Sequence, residues 1–194
     1  MLSRCFDIYS YPENIYSFDS LLRILSSYLS IFEDGFLVHS AGFKINNNAF
    51  LFIGKSGKGK STIIKSLLER YSPPNNTLSG SILSDELVII KKGGKDFYAY
   101  GTPFSGEFFQ IAKNYSAKTG KVFFLHKSPK SQIKSIKDSN KVINLLLQNV
   151  VCCSKDKNLI ERLIANIHGF SRAVEFYEFH WNIRDKKSLD KLFE

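Results

Sequence analysis

The sequence predicts a mixed α/β fold in which β-hairpins flank a glycine-rich loop. Two observations predict it. Apolar runs with the period of strands and apolar runs with the period of helices are interleaved along the chain. Two pairs of strand-like runs are joined by short turn-forming segments, "NNN" at 46–48 and "KKGGK" at 91–95. A doubly wound βαβ sheet would separate its strands by helices and would not show these hairpins.

The elements follow in order. Residues 5–10, "CFDIYS", read as a short first strand. Residues 17–32 carry Leu21, Leu22, Leu25, Leu29 and Phe32 at helical spacing, with Ser17 or Asp19 as a cap near the start. Residues 35–45 and 49–54 are the arms of the first hairpin. Residues 60–71 are helical, and "SPPNN" stops them because proline has no N–H to continue the ladder. Residues 81–90 and 96–103 form the second hairpin, and 121–126 are a further strand. Residues 140–151 and 158–170 read as helices, the second ending near Gly169. Residues 173–180 alternate as a strand and 188–194 close the chain as a short helix. No repeat or low-complexity linker interrupts residues 1–194, so a single domain is expected, at a length that buries a real core.

Composition narrows the class. A hydrophobic fraction of 43% is that of a soluble globular chain. No apolar run approaches the roughly 18 residues that span a bilayer. The first residues mix Asp7, Glu13 and aromatics and lack a signal-peptide core, so the cytoplasm is expected and a membrane is not. Cys5, Cys152 and Cys153 have neither metal-ligand spacing nor an even disulfide framework, which suits thiols in a reducing compartment. The net charge of +9 is uneven: residues 1–40 are mildly acidic, whereas 113–141 hold eight lysines against one acid, Asp138. Such a stretch is either a solvated surface or a field that attracts an anionic partner. No arginine-and-aromatic module for nucleic acid is present. Self-association is left open.

The chemistry is concentrated in "FIGKSGKGKST", residues 52–62. It contains Gly54-x-x-x-x-Gly59-Lys60-Ser61, the full P-loop pattern, between an apolar strand and an amphipathic helix. The glycines Gly54, Gly57 and Gly59 let backbone N–H groups from Ser56 to Ser61 curl around phosphate oxygens, and the following helix turns its positive end to the same anion. Lys60 supplies an ammonium to the β- and γ-phosphates, and Ser61 a hydroxyl to Mg²⁺. Thr62 opens the buried helix face or backs up Ser61. Lys55 and Lys58 occupy variable positions and read as solvent-facing, with Lys58 also within reach of a nucleotide.

A phosphoryl-transferring loop needs a carboxylate for the metal and a base for the acceptor hydroxyl. Here "ILSDELVII" follows the loop's helix directly. Asp85 and Glu86 are adjacent. On a regular strand they point to opposite faces, whereas at an edge or bulge both reach one site.

The run "LVHSAGFKINNNAFLFIGKSGKGKSTIIKSLLERY", with "LSDELVII" and "YGTPFSGE" after it, resembles the HPr kinase/phosphorylase-related P-loop kinases, which are akin to phosphoenolpyruvate carboxykinase. The resemblance covers residues 37–107 and extends beyond them only in element order. It implies a domain like the C-terminal domain of HPr kinases, in a short single-domain form that lacks their N-terminal domain. It implies a kinase that uses ATP or another nucleoside triphosphate with Mg²⁺ and phosphorylates a serine-type hydroxyl of a peptide, a protein or a small molecule, an acidic one if the lysines recruit it. His39 then lies beside the loop, Lys60 and Ser61 hold phosphate and metal, and Asp85 with Glu86 forms the acidic pair, one as base and one toward the metal. Many relatives carry Asp-Asp at that pair. Glu107 in "GTPFSGE" is a further metal-facing acid, while Thr102 and Ser105 shape the turn at Pro103. His126, His168 and His180 show no partner in the sequence and read as structural. Two rival readings are a regulatory nucleotide-binding module without transfer chemistry and a partner-coupled nucleotide hydrolase. The latter wants an activating arginine, and neither Arg172 nor Arg184 has an evident place.

Overall fold

The structure, a computed structural model, describes residues 15–72, 80–106 and 114–193. The strand expected at 5–10, together with Cys5 and Glu107, lies outside the described residues. The elements are α1 (Ile15–Phe32), β1 (Gly35–Ile45), β2 (Asn48–Ile53), α2 (Lys60–Tyr71), β3 (Gly80–Ser84), β4 (Leu87–Gly93), β5 (Asp96–Tyr100), β6 (Ser116–Lys127), β7 (Gln132–Ser135), α3 (Ser139–Leu147), β8 (Val150–Val151), α4 (Lys157–Ala173) and β9 (Glu175–Trp181), followed by a 3₁₀ helix, Lys186–Leu192.

The sheet is mixed. β1 and β2 form an antiparallel hairpin, as do β4 and β5, whose turn places Gly94 at a positive φ of 64°. β2 runs parallel to β6, and β6 parallel to β9. Because β5 also pairs with the start of β6, the path β2-β1-β4-β5-β6 closes on itself through the β2–β6 ladder, and β9 and β7 extend it. Two apolar layers cover the sheet. On one face Leu51, Ile53, Val122 and Phe124 pack with Ile31 of α1, Leu146 of α3 and Leu163, Ile167 and Phe170 of α4. On the other, Phe50, Phe52, Phe123 and Phe179 pack with Ile63, Ile64 and Leu67 of α2 and with Leu189 and Leu192 of the 3₁₀ helix. Arg70 and Tyr71 at the end of α2 both bond the Asp190 carboxylate, which ties the 3₁₀ segment to that layer.

β1 changes partners halfway along. Its first half lies between β4 and β8, with Leu37 opposite both Ile89 and Val151. Its second half lies between β2 and β3, with Phe43 opposite Phe50 and Ile82. The change falls at His39 and Ser40, whose N–H groups donate to the Asn149 and Glu86 carbonyls, the last bonds to the β8 and β4 sides before β2 and β3 take over. Sheets open a crevice where strand neighbours change, because the connecting chains diverge there.

β7 lies outside the expected elements, β6 starts at Ser116 and not at 121, and four other elements differ from expectation. The 81–90 run is two strands, because Ser84 Oγ accepts from the N–H groups of Glu86 and Leu87 and donates to the Phe104 carbonyl, bending the chain between them. The helix expected to reach 151 ends at Leu147, since Val150 and Val151 find a sheet partner in β1. α4 runs through Gly169 to Ala173: a mid-helix glycine costs about 1 kcal/mol against alanine, less than burying Leu163, Ile167 and Phe170 returns. α1 begins before Ser17, so Asp19 sits inside the helix and pairs with Arg23 four residues on. Asp138, the single acid among the lysines, caps α3 by accepting from Asn140 and Lys141 N–H groups.

Candidate functional site

β2 delivers the glycine-rich loop at its carboxyl end, at Ile53. Gly57 and Gly59 adopt φ of 76° and 99°, a region where a Cβ collides with the backbone and which other residues rarely enter. Gly59 is the N-cap of α2 and brings no side chain to its first N–H groups. Those donors and the positive helix end therefore face the loop. Lys60 folds back under it: its ammonium donates to the Gly54 carbonyl at 2.6 Å, and the residue is 8% exposed.

Strand register decides what stands on either side. Ile53 pairs with Ser40 of β1 and with Phe124 of β6. β6 and β9 run on in parallel to Lys127 and Trp181, so they rise past the loop. A Cβ at Gly59 would stand 3.6 Å from the Trp181 ring. On the opposite side, His39 sits one residue before Ser40, paired with Leu87 at the start of β4, and the Asp85–Glu86 bend adjoins it. The result is one cavity of about 930 Å³. Its floor is Ser56 to Thr62, one wall is His39, Asp85, Glu86 and Gly106, and the other is the pair of segments 127–129 and 181–183.

Asp85 is 3% exposed, and its Oδ1 accepts from the Gly106 N–H at 2.9 Å. The "TPFSG" segment thus wraps the carboxylate: Thr102 Oγ1 donates to the Leu87 carbonyl and Phe104 is buried behind it. Glu86 is held differently. Its Oε2 accepts from Arg23 Nη2 at 3.0 Å, and Arg23 is in turn fixed by Asp19 at 2.6 Å and lies over the Phe104 ring at 5.0 Å. Hydrogen bonds to Glu86 and Asp19 raise the pKa of Arg23 and together outweigh burial, the largest single cause, which lowers it. His39 is half-buried, and burial lowers its pKa; the positive charges of Lys60 and Arg23 lower it further, and Glu86 partly opposes them. The imidazole is therefore held in its neutral form to lower pH than a free histidine.

The cavity thus gathers His39, the loop residues Ser56 to Thr62, Asp85 and Glu86, while Gly54 contributes its carbonyl to Lys60. Lys58 lines the cavity and Lys55 is exposed. Arg23 is the residue sequence reasoning missed. Its i, i+4 spacing from Asp19 was visible, but its reach to Glu86, 63 positions away, has no local signal. Trp181, Asn182 and Ile183 were missed for the same reason. His126 and His180 do have partners: their rings stack at 4.8 Å across β6 and β9, beside Glu178, which pairs with Lys141. Asp85, Glu86 and the Ser61 hydroxyl are an all-oxygen set, which fits Mg²⁺, an ion that takes one or two carboxylates and completes its shell with water and phosphate oxygens. Among the described residues no group of three or more His, Cys, Asp or Glu is gathered as a denser metal site, and no helix is long and apolar enough to cross a membrane.

No protein-family model matches the chain, and no curated protein matches it. A solved structure similar to it is the Hpr(Ser) kinase/phosphatase from Coxiella burnetii, 10% identical, with 81% of this chain and 93% of that chain covered and a TM-score of 0.44. A likeness that distant assigns no role to any residue here.

Proposed function

We propose that this chain is a nucleotide- and Mg²⁺-dependent kinase of the HPr kinase-related type, transferring a phosphoryl group to a serine-type hydroxyl. One observation carries the reading: a single cavity joins the glycine-rich loop, its buried lysine and the amino end of α2 to a buried aspartate, a glutamate and a neutral histidine. An anion-binding floor beside proton-accepting and metal-binding oxygens is what phosphoryl transfer requires.

In this reading the N–H groups of residues 56–61 and the Lys60 ammonium hold the phosphate oxygens and spread the charge that develops on them. Asp85, fixed by Gly106, accepts the proton of the acceptor hydroxyl as that oxygen bonds to the γ-phosphorus. The bond from phosphorus to the bridging oxygen breaks, and nucleoside diphosphate leaves. Glu86, fixed by Arg23, is the metal-side carboxylate with Ser61. Mg²⁺, when bound, neutralises phosphate charge and orients the chain of phosphates. Neutral His39 donates a hydrogen bond to the transferring group. Position and electrostatics supply most of the rate.

Product analysis with the purified chain tests this. Nucleoside diphosphate forming only when a panel of hydroxyl-bearing peptides and metabolites is added is the expected result. Diphosphate formed equally without acceptor identifies a hydrolase, and tight binding without turnover identifies a regulatory module.

An acidic acceptor is part of the proposal. Lys118 and Lys141 are paired with Asp96 and Glu178, and Lys121 lies over Tyr177, whereas Lys130, Lys134 and Lys137 are exposed. Exposed charges are screened within about 10 Å at roughly 0.1 M salt. The apparent KM for the acceptor should therefore rise more steeply with salt than that for nucleotide. A KM for acceptor that is flat in salt returns these lysines to plain surface.

A further inference from the structure

We infer that the wall made by the ends of β6 and β9 holds the nucleoside end of the nucleotide through an apolar contact centred on Ile183, and that it reads the base weakly. The inference rests on the nucleotide reading above. The two walls of the cavity differ in kind. The wall at His39 carries both carboxylates, so the reacting end of a triphosphate belongs there. The wall at 127–129 and 181–183 carries no acid and no imidazole. β1, β2, β6 and β9 are successive neighbours, and three strand spacings put these walls on the order of 14 Å apart. The loop crosses the middle. A chain of phosphates lying on it has its nucleoside end against Trp181 and Ile183.

The Ser128 and Asn182 side chains of that wall bond to its own backbone. Ser128 N–H donates to the Trp181 carbonyl at 3.1 Å. The Asn182 amide donates to the Pro129 carbonyl at 2.8 Å and accepts from Arg184 N–H at 3.0 Å. Ser128 Oγ accepts from Lys130 N–H. The Asn182 amide is thus spent on shaping the wall, and the Trp181 ring N–H, which has no hydrogen-bond partner among the described residues, is itself buried away from the cavity. What it offers instead is apolar. Trp181 is 5% exposed and fills the space beneath Gly59, and Ile183 is 53% exposed at the cavity mouth. A planar base covers such a side chain and removes its apolar area from water. Lys127, exposed on the same wall, suits the phosphate nearest the ribose. Sites that hydrogen-bond a distinguishing group reject its analogue by 10⁴–10⁵, whereas apolar surfaces cannot. Adenine and guanine should accordingly be treated alike.

The test is equilibrium binding of ATP, GTP and tripolyphosphate, each with Mg²⁺, to the full chain and to Ile183→Ala, Ile183→Asp and Ile183→Leu. Ile183 is exposed, so the variants should fold, and their thermal melts check that. The expected result is ATP and GTP within about tenfold of each other. Ile183→Ala should weaken both roughly fivefold, Ile183→Asp more, and Ile183→Leu little, with tripolyphosphate unchanged throughout. A preference of a hundredfold or more for one base overturns the inference. So does an Ile183→Ala variant that binds both nucleotides as before. If tripolyphosphate binds while nucleotides gain nothing over it, the floor stands and the nucleoside wall does not. If none of the three binds, the nucleotide reading itself falls and takes this inference with it.

Discussion

Replacing Lys60 by alanine is expected to abolish phosphoryl transfer in a chain that still folds. The Lys60 ammonium lies beneath the loop, donating to the Gly54 carbonyl, and it is the buried cation of the cavity floor. In the proposed reaction its removal deletes the charge that would meet the developing negative charge on the phosphates. Losing one preorganised donor of this kind typically costs on the order of 10²–10³ in rate, and a full cation costs more. Stability should fall by about 1–3 kcal/mol, the range for a lost partner of a buried group. Lys55→Ala and Lys58→Ala should cost far less, since one side chain is exposed and the other half-exposed. Single-turnover transfer, set beside a thermal melt, measures both effects. An independent readout is the His39 imidazole. Lys60 is one cause of its lowered pKa, so its titration by NMR should move to higher pH in Lys60→Ala. Retained transfer in Lys60→Ala with loss in Lys58→Ala would overturn this assignment of the loop.

The second large effect separates the two carboxylates. Asp85→Asn should lower turnover by roughly 10²–10⁴, the usual cost of a lost proton acceptor, with Mg²⁺ affinity little changed. Glu86→Gln should lower turnover and weaken Mg²⁺ together. Arg23→Gln should then resemble Glu86→Gln and not Asp85→Asn, because it is the Glu86 carboxylate that Arg23 bonds. Loss of an outer partner of a metal-side ligand costs roughly 10–100-fold in metal affinity. Arg23→Lys should recover part of it: one charge remains, but the fork that spans Glu86 and Asp19 is gone. Magnesium titrations of turnover and of nucleotide binding give the split. Near wild-type transfer in both carboxylate variants would leave the pair a bend between strands and nothing more. An Arg23→Gln variant that loses turnover with an unchanged magnesium titration would detach Arg23 from Glu86.

These predictions draw on residues of unequal legibility. The loop pattern, the helix after it and both hairpins are local features. Gly54, Gly59, Lys60 and Ser61 stand at their motif spacing, and the turn residues Asn46 and Gly94 adopt the positive φ that hairpins require. The mixed α/β class follows from such periodicities. The acidic pair was legible as a pair, but its geometry was not. On a continuous strand Asp85 and Glu86 would have faced opposite ways. The Ser84 hydroxyl breaks the ladder at that point, so both line one cavity.

Local spacing therefore encodes the parts whose physics is short-range: a loop that only glycines can form, a helix whose apolar stripe buries against the sheet, and a lysine that the loop's spacing places beside it. Tertiary structure alone decided which distant segments complete the site. The exchange of partners along β1 brings His39 to the loop, and the parallel run of β6 and β9 past the end of β2 brings Trp181 and Ile183 to its far side. Arg23 reaches Glu86 because α1 packs on β1 and β4. Each of these is a contact between residues far apart in the chain, and no local spacing encodes it. Such contacts follow from which apolar faces can be buried together, and that is settled by the fold as a whole.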